Sequence, residues 1–305
     1  MDSDRTPGGL PKFPGCAHNP LMRTVPGPEA SVADGIALPG VAWRIHRERV
    51  LLAGWGRAIL LQLAHPLVAR GVAEHSGFAT DRWGRVRRLH RTLHAMLTLT
   101  FGPAEDAGAA AARINAIHDR VHGRLDHAAG GEPAGAPYSA HDPALLAWVH
   151  ATLLDSFLGA YRLFVGPLDT VAADRYCLES SGIEARLGIP AGRLPRTESA
   201  LRAYLEAMLA SGVLEVTDTA RALAREVLAP PAPRILRPAL WLAALPAVGL
   251  LPPSIRAGYG LPWDARRARA LALMAVVTRV SLPLVPPPLR YWAAARRAMR
   301  TTRRG

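Results

Sequence analysis

Arg113-Ile114-Asn115-Ala116-Ile117-His118-Asp119-Arg120-Val121-His122-Gly123 is the stretch whose reading decides the fold. Ile114, Ile117 and Val121 recur at helical spacing, which predicts an apolar stripe on one helix running from Asp106 to Gly123. His118 lies beside that stripe, four residues before His122. An imidazole in that place is either a hydrogen-bonded core residue or a ligand to something held in the core. The stretch alone leaves both readings open.

The 305 residues are half apolar, enough for a large core in one large domain or two small ones. Alanine, leucine and arginine dominate, and alternating β-branched or aromatic runs are scarce, so the fold class expected is all-α. The formal charge of +13 points to an anionic partner. Neither zinc-finger spacing nor an RNA-binding aromatic signature accompanies it, so no nucleic acid is expected, and the arginines read first as a solvated surface. Cys16 and Cys177 make neither a disulfide framework nor a tetrahedral metal site. Without a secretory leader or an apolar run of about 18 residues, the expectation is a cytoplasmic protein.

Residues 1–38 read as a flexible leader and 39–305 as a single helical domain. Gly54-Trp55-Gly56 is expected to break the first helical region before an apolar helix, Arg57 to Ala64. His65-Pro66 stops that helix, because proline removes a donor and disfavours helical angles at His65. Leu67 resumes a helix that Ser76-Gly77 ends, and Arg82 to Phe101 follows, with Leu89, Leu93, Met96, Leu97 and Thr100 on its inner side. Asp126 to Tyr138 reads as an exposed loop, and Asp142-Pro143 caps a long helix reaching Phe164. Helices are expected over Thr170 to Ser181, Thr197 to Ser211, Thr217 to Val227 and Ala265 to Val280, with a final basic amphipathic helix from Leu289 to Arg300. That last helix raises peripheral membrane contact as an expectation.

Three constellations could carry chemistry. His90/His94 and His118/His122 are i, i+4 pairs that could share a metal, which supports a non-haem metal protein; the glutamates of a di-iron bundle are missing. Haem instead needs one imidazole beside an apolar face, a cavity between helices and arginines for the propionates, which His118, Arg88 and Arg91 could provide. Thr152 and Asp155 form a polar pair that needs partners inside an apolar helix, next to His150. Cys177 has no evident activating base.

Taken in order, Gln62-Leu63-Ala64-His65-Pro66, Arg88-x-x-Arg91-Thr92, Phe101-Gly102, Ile117-His118-x-x-Val121-x-Gly123 and Trp148-Val149-His150-Ala151-Thr152-Leu153 resemble the MpaB-type oxygenases. That family includes the latex-clearing proteins, the bacterial rubber oxygenases, and the resemblance covers roughly residues 40 to 270. It implies a globin-like helical core holding haem b, with His118 as the proximal iron ligand. It places Arg88, Arg91 and Thr92 beside the reacting oxygen species, and His65 and His150 around the cofactor. Arg91 stands where the rubber enzymes carry a lysine, and Glu74 is only a neighbour of their distal glutamate, so polyisoprene is not the expected substrate. What the resemblance implies is a haem b-dependent oxygenase taking dioxygen and a small hydrophobic substrate. The alternatives are a non-enzymatic haem-binding or sensor protein and the non-haem metal protein.

Overall fold

A computed structural model of the chain describes residues 40–75, 82–229 and 233–302, without the side chains of 82–89 and 302. All of these belong to one unit, Val32–Gly305. The expected leader, residues 1–38, and the Ser76-Gly77 stop lie outside the described residues. In order the elements are α1 (Val41–His46), α2 (Leu52–Leu63), α3 (Pro66–His75), α4 (Arg82–Phe101), α5 (Ala104–His118), β1 (His122–Arg124), β2 (Pro137–Ser139), α6 (Pro143–Phe164), α7 (Thr170–Ser180), α8 (Glu184–Leu187), α9 (Glu198–Ala210) and α10 (Asp218–Leu228). Then come α11 (Arg237–Gly249), α12 (Pro253–Gly258), α13 (Ala265–Ser281), α14 (Pro287–Arg290) and α15 (Ala293–Thr302). Among the described residues the fold is all-α apart from one antiparallel ladder that pairs Gly123 with Tyr138 and two isolated bridges, Glu48 with Tyr291 and Ala129 with Glu132.

The middle of the core is α6. Asp142 caps it, its Oδ1 accepting the Ala144 amide at 2.7 Å, and Pro143 fills the first turn, where the absent N–H costs nothing. Trp148, Ala151, Thr152, Leu154 and Phe157 are buried on it. By length and apolarity α6 could cross a membrane, but 61% of that window is buried inside the fold, as in the core helix of a globular domain.

Against α6 packs α2, which runs unbroken through Gly54-Trp55-Gly56. The expected break is therefore wrong, and packing explains why. A Cβ on Gly54 would sit 2.6 Å from the Ser156 carbonyl oxygen and 2.9 Å from the Ala160 Cβ, and one on Gly56 would sit 2.8 Å from the Ala247 Cβ of α11. The two glycines let α2 lie close between α6 and α11, and the burial gained outweighs their poor helix propensity. Arg57 then fastens the three helices: it donates to the Leu250 carbonyl at 2.6 Å and the Ser156 hydroxyl at 2.8 Å, and pairs with Asp155 at 2.6 Å. The break at His65-Pro66 is as expected, with the helical segments on either side bent by 106°.

Two further boundaries differ from expectation. The helix of the opening stretch ends at His118, because Val121 and Gly123 leave it to pack on Tyr138 and pair with it. Its buried face is Ala107, Ala110 and Ala111, small enough for close approach, while Ile117 is 53% exposed. The Asp126 to Tyr138 connection is anchored rather than free, since Leu125, Ala136 and Tyr138 are buried together and the Gly130 amide donates to Glu215 at 2.7 Å.

The C-terminal basic helix is split. Arg290 of α14 reaches back to Glu48, which is 1% exposed, in a two-pronged pair at 2.8 and 2.9 Å, and α15 begins only after Tyr291 and Trp292. Trp292, Ala295 and Met299 pack on Trp43, Leu97 and Phe101, so the apolar side of α15 is covered. That corrects the idea that this helix offers a free face to a membrane.

Replacing Gly54 by alanine should force α2 and α6 apart and cost about 1–3 kcal/mol of stability. Denaturant unfolding of Gly54→Ala checks this, with Gly108→Ala, where a Cβ meets nothing within 4 Å, expected to be neutral or better.

Candidate functional site

The Gly102-Pro103 turn folds α4 back on α5, and the two helices pack together. Arg88 and His118 each lie about 20 Å along their helices from that turn, so the C-terminal end of α5 stands level with the Arg88–Thr92 half of α4. His118 is the last residue of α5 and is half-buried. Its Nδ1 is buried without a hydrogen-bond partner, and its ring lies edge-on to His141, with centroids 5.8 Å apart. Asp119 holds His141 through a 2.8 Å contact between Oδ1 and Nε2. Burial, and then the neighbouring His141, lower the His118 pKa, so the ring is neutral and keeps a lone pair for a ligand.

His65 sits at the α2–α3 bend, buried, with Nδ1 unpartnered, and desolvation lowers its pKa to about 4. On α6, His150 has a buried, unpartnered Nε2, and burial brings its pKa to about 4 against the opposing Ser180 backbone hydrogen bond. A fourth imidazole, not singled out from the sequence, joins it: His46, at the end of α1, is lowered to about 4 by burial and by His150. Its Nε2 lies 3.2 Å from the Tyr176 hydroxyl, and its ring packs edge-on against Phe157. His46 could have been noticed in the sequence, since it follows Ile45 in an apolar helix, as His118 follows Ile117.

His65, His118 and His150 do not touch one another. Each is a separate neutral imidazole with a buried, unpartnered nitrogen, His118 and His150 on α5 and α6 and His65 at the α2–α3 bend. Arg91 and Thr92 are exposed on α4, and the Arg88 side chain lies outside the described residues. Immediately further along, Leu93, Met96 and Leu97 line a cleft with His46, Trp55 and Phe157. Its cavity volume is about 30 Å³, room for a water or two and well below the size of a ligand pocket. Four of the five residues expected on the inner side of α4 line that cleft, namely Leu93, Met96, Leu97 and Thr100; the fifth, Leu89, has no described side chain.

The expected metal pairs are not assembled. His122 belongs to β1 rather than α5, so it does not share a helix face with His118, and His90 and His94 are both exposed. Among the described residues no three His, Cys, Asp or Glu side chains gather as a metal site. The polar pair on α6 is satisfied, since the Thr152 hydroxyl donates to the Val149 carbonyl at 2.8 Å and Asp155 binds Arg57. Glu74 accepts from the Tyr138 hydroxyl and from Arg70, which lowers its pKa. A Cβ on Gly123 would crowd the Tyr138 hydroxyl at 2.6 Å, so a larger residue there would displace the Tyr138–Glu74 pair. Burial, with Asp174 and Glu198 adding to it, pushes the Cys177 thiol up to about 12, which leaves it no role as a nucleophile.

The sequence model of the family described as "ER-bound oxygenase mpaB/B'/Rubber oxygenase, catalytic domain" matches residues 43–280. The chain belongs to this oxygenase family. No curated protein and no solved structure matches it. The match spans α2 to α6 and the helices packed on them, so the buried imidazoles and all of the cleft's lining except Trp292 fall inside the oxygenase catalytic domain. The protein is therefore an enzyme, an oxidoreductase with an organic substrate and dioxygen as partners.

The buried imidazoles make the oxygenase acid-labile. Between about pH 6.5 and pH 4 the unfolded chain protonates His46, His65 and His150 while the folded one does not. Stability present at neutral pH is then lost as pH falls through that window, by up to about 1.4 kcal/mol per pH unit for each imidazole. Urea unfolding at pH 7.5 and pH 5 should show the loss, and His65→Gln should reduce its slope.

Proposed function

We propose that this oxygenase binds haem b through His118 and oxidises a small hydrophobic substrate with dioxygen. The observation that carries the reading is the neutral imidazole at the end of α5, with a buried unpartnered nitrogen, level with the Arg88–Thr92 half of α4. A buried ring nitrogen without a partner is unfavourable unless something binds the imidazole. A haem suits this setting better than a bare ion. It brings four of the iron's ligands with it, so one histidine suffices, and no cluster of protein ligands is needed.

Each of the oxygenase's own residues then has a task. His118 stays neutral because it is desolvated, and the Asp119–His141 pair fixes the ring packed against it. Arg88 and Arg91 supply the positive charge that haem carboxylates or a reduced oxygen species would need. Thr92 adds a hydroxyl on the same turn. The bound haem would supply dioxygen activation; the small apolar cleft along α4 marks the apolar wall that would part to receive the substrate. His65 and His150, buried and neutral, would shape the polarity of the cofactor's surroundings.

Purified protein reconstituted with haem should show a Soret band and the pyridine spectrum of haem b. His118→Ala should abolish both, while Asp119→Asn should weaken haem binding about tenfold through the ring it no longer positions. A protein that stays colourless after reconstitution, or an alanine variant that keeps the wild-type spectrum, overturns the assignment.

A further inference from the structure

The positive charge of the chain is not spread evenly. Residues 234–305 hold 13 arginines against one acid, Asp264, and so carry +12 of the formal +13. The oxygenase's remaining 233 residues are close to neutral. The same C-terminal stretch also exposes its aliphatic side chains. On α13, Leu273, Val276, Val277 and Val280 follow i, i+3, i+4, i+7 spacing, and Leu284 continues their line just past the helix. All five are between 56% and 81% exposed. The opposite side of α13 is apolar too, since Leu271 and Ala275 are buried in the core. One side of this helix is therefore used by the fold, and the other is apolar without a partner in the chain.

Next to it, α11 packs on α13 and brings Trp241 and Leu242, both exposed, with Ile235 and Leu236 on the turn before it. The two elements meet where Pro238 and Trp241 lie beside Asp264, Arg266 and Arg267. Arginines stand at the ends of the apolar stripe: Arg266 and Arg269 are exposed in the first turns of α13 and Arg279 in the last, with Arg234 and Arg237 exposed beside α11. Arg279 is held in place by donating to the Leu163 carbonyl at 2.9 Å and to the Arg162 carbonyl.

We propose that this α11–α13 face docks the oxygenase on an anionic lipid bilayer, the aliphatic stripe entering the headgroup region and the arginines lying among the acidic headgroups. Charge decides between the two partners that an apolar face invites. A second copy would set arginines against arginines across a two-fold axis, with Asp264 the only acid of residues 234–305 to offset them. A bilayer rich in acidic headgroups complements both the aliphatic stripe and the charge beside it. The basic helix α15 cannot do this alone, because its apolar side is already packed on Trp43 and Phe101. This inference does not depend on the haem reading.

Flotation of the full chain with vesicles tests it. The protein should rise with vesicles of equal parts phosphatidylcholine and phosphatidylglycerol, stay behind with phosphatidylcholine alone, and bind less at high salt. The variant Val276→Ser/Val277→Ser/Val280→Ser should bind at least about tenfold more weakly, with an unchanged circular dichroism melt, because those side chains contribute little to the core. In the unmodified chain, phosphatidylglycerol with brominated acyl chains should quench tryptophan fluorescence, and Trp241→Phe should remove most of that quenching. Absence of binding to the anionic vesicles at low salt overturns the proposal. So does equal binding by the triple-serine variant, which would mean adsorption by charge alone. Light scattering that shows a dimer, turned to monomer by the same substitutions, assigns the face to a second copy instead.

Discussion

The approach of α2 to α6 is the constraint on which the rest of the molecule depends. Gly54 permits it, because any side chain there would meet the Ser156 carbonyl. Arg57 locks it by reaching both helices' neighbours at once. Once α2 is seated, its far end is fixed, and the Pro66 bend turns the chain through 106° directly after the buried His65. Gln62, one turn earlier, donates to the Val149 carbonyl beside His150 at 3.3 Å. The placement of two of the three expected interior imidazoles thus follows from a single helix contact made possible by one missing Cβ.

Those imidazoles are held where the interior cannot tolerate their charge. Desolvation is the leading cause of the lowered pKa of His46, His65, His118 and His150 alike. A fold selected for stability alone would replace such groups with aliphatic side chains, or give every ring nitrogen a partner. Here orphaned nitrogens persist on His65, His118 and His150, within the catalytic domain of an oxygenase family. Unused lone pairs kept neutral at physiological pH are what a cofactor site would require of its protein, which is the premise of the haem proposal.

Much of this was legible in the sequence, and the failures share a cause. Helical periodicity, the His65-Pro66 stop and the Asp142-Pro143 start survive contact with the structure, because each is enforced by local geometry: a missing donor, a capping oxygen, a repeat of 3.6. The family also was readable, since its motifs lie in chain order across the residues matched. The misread places are those where tertiary packing overrode local preference. Gly54 and Gly56 look like breakers until α6 and α11 are placed against them. Val121 looks helical until the cluster around Tyr138 offers it a place to pack, just ahead of the paired strand His122–Arg124. His46 was missed because its partners, Tyr176 and His150, come from distant parts of the chain.

The C-terminal third shows how the same residue types can serve opposite ends. Both α13 and α15 combine arginine with aliphatic side chains, and periodicity makes α15 look like the surface-seeking one. Its apolar side is consumed in covering Trp43 and Phe101, which makes it a lid on the core. Because α13 is apolar on both sides, no single amphipathic stripe stands out in its sequence, yet that is the property a helix needs if it is to be anchored in a fold and still offer an apolar face outward. The buried ion pair between Glu48 and Arg290 closes the chain just beyond that face, joining α14 to the turn after α1. Arg234, Arg237, Arg266, Arg269 and Arg279 stand exposed beside the aliphatic stripe, where an anionic partner can reach both together.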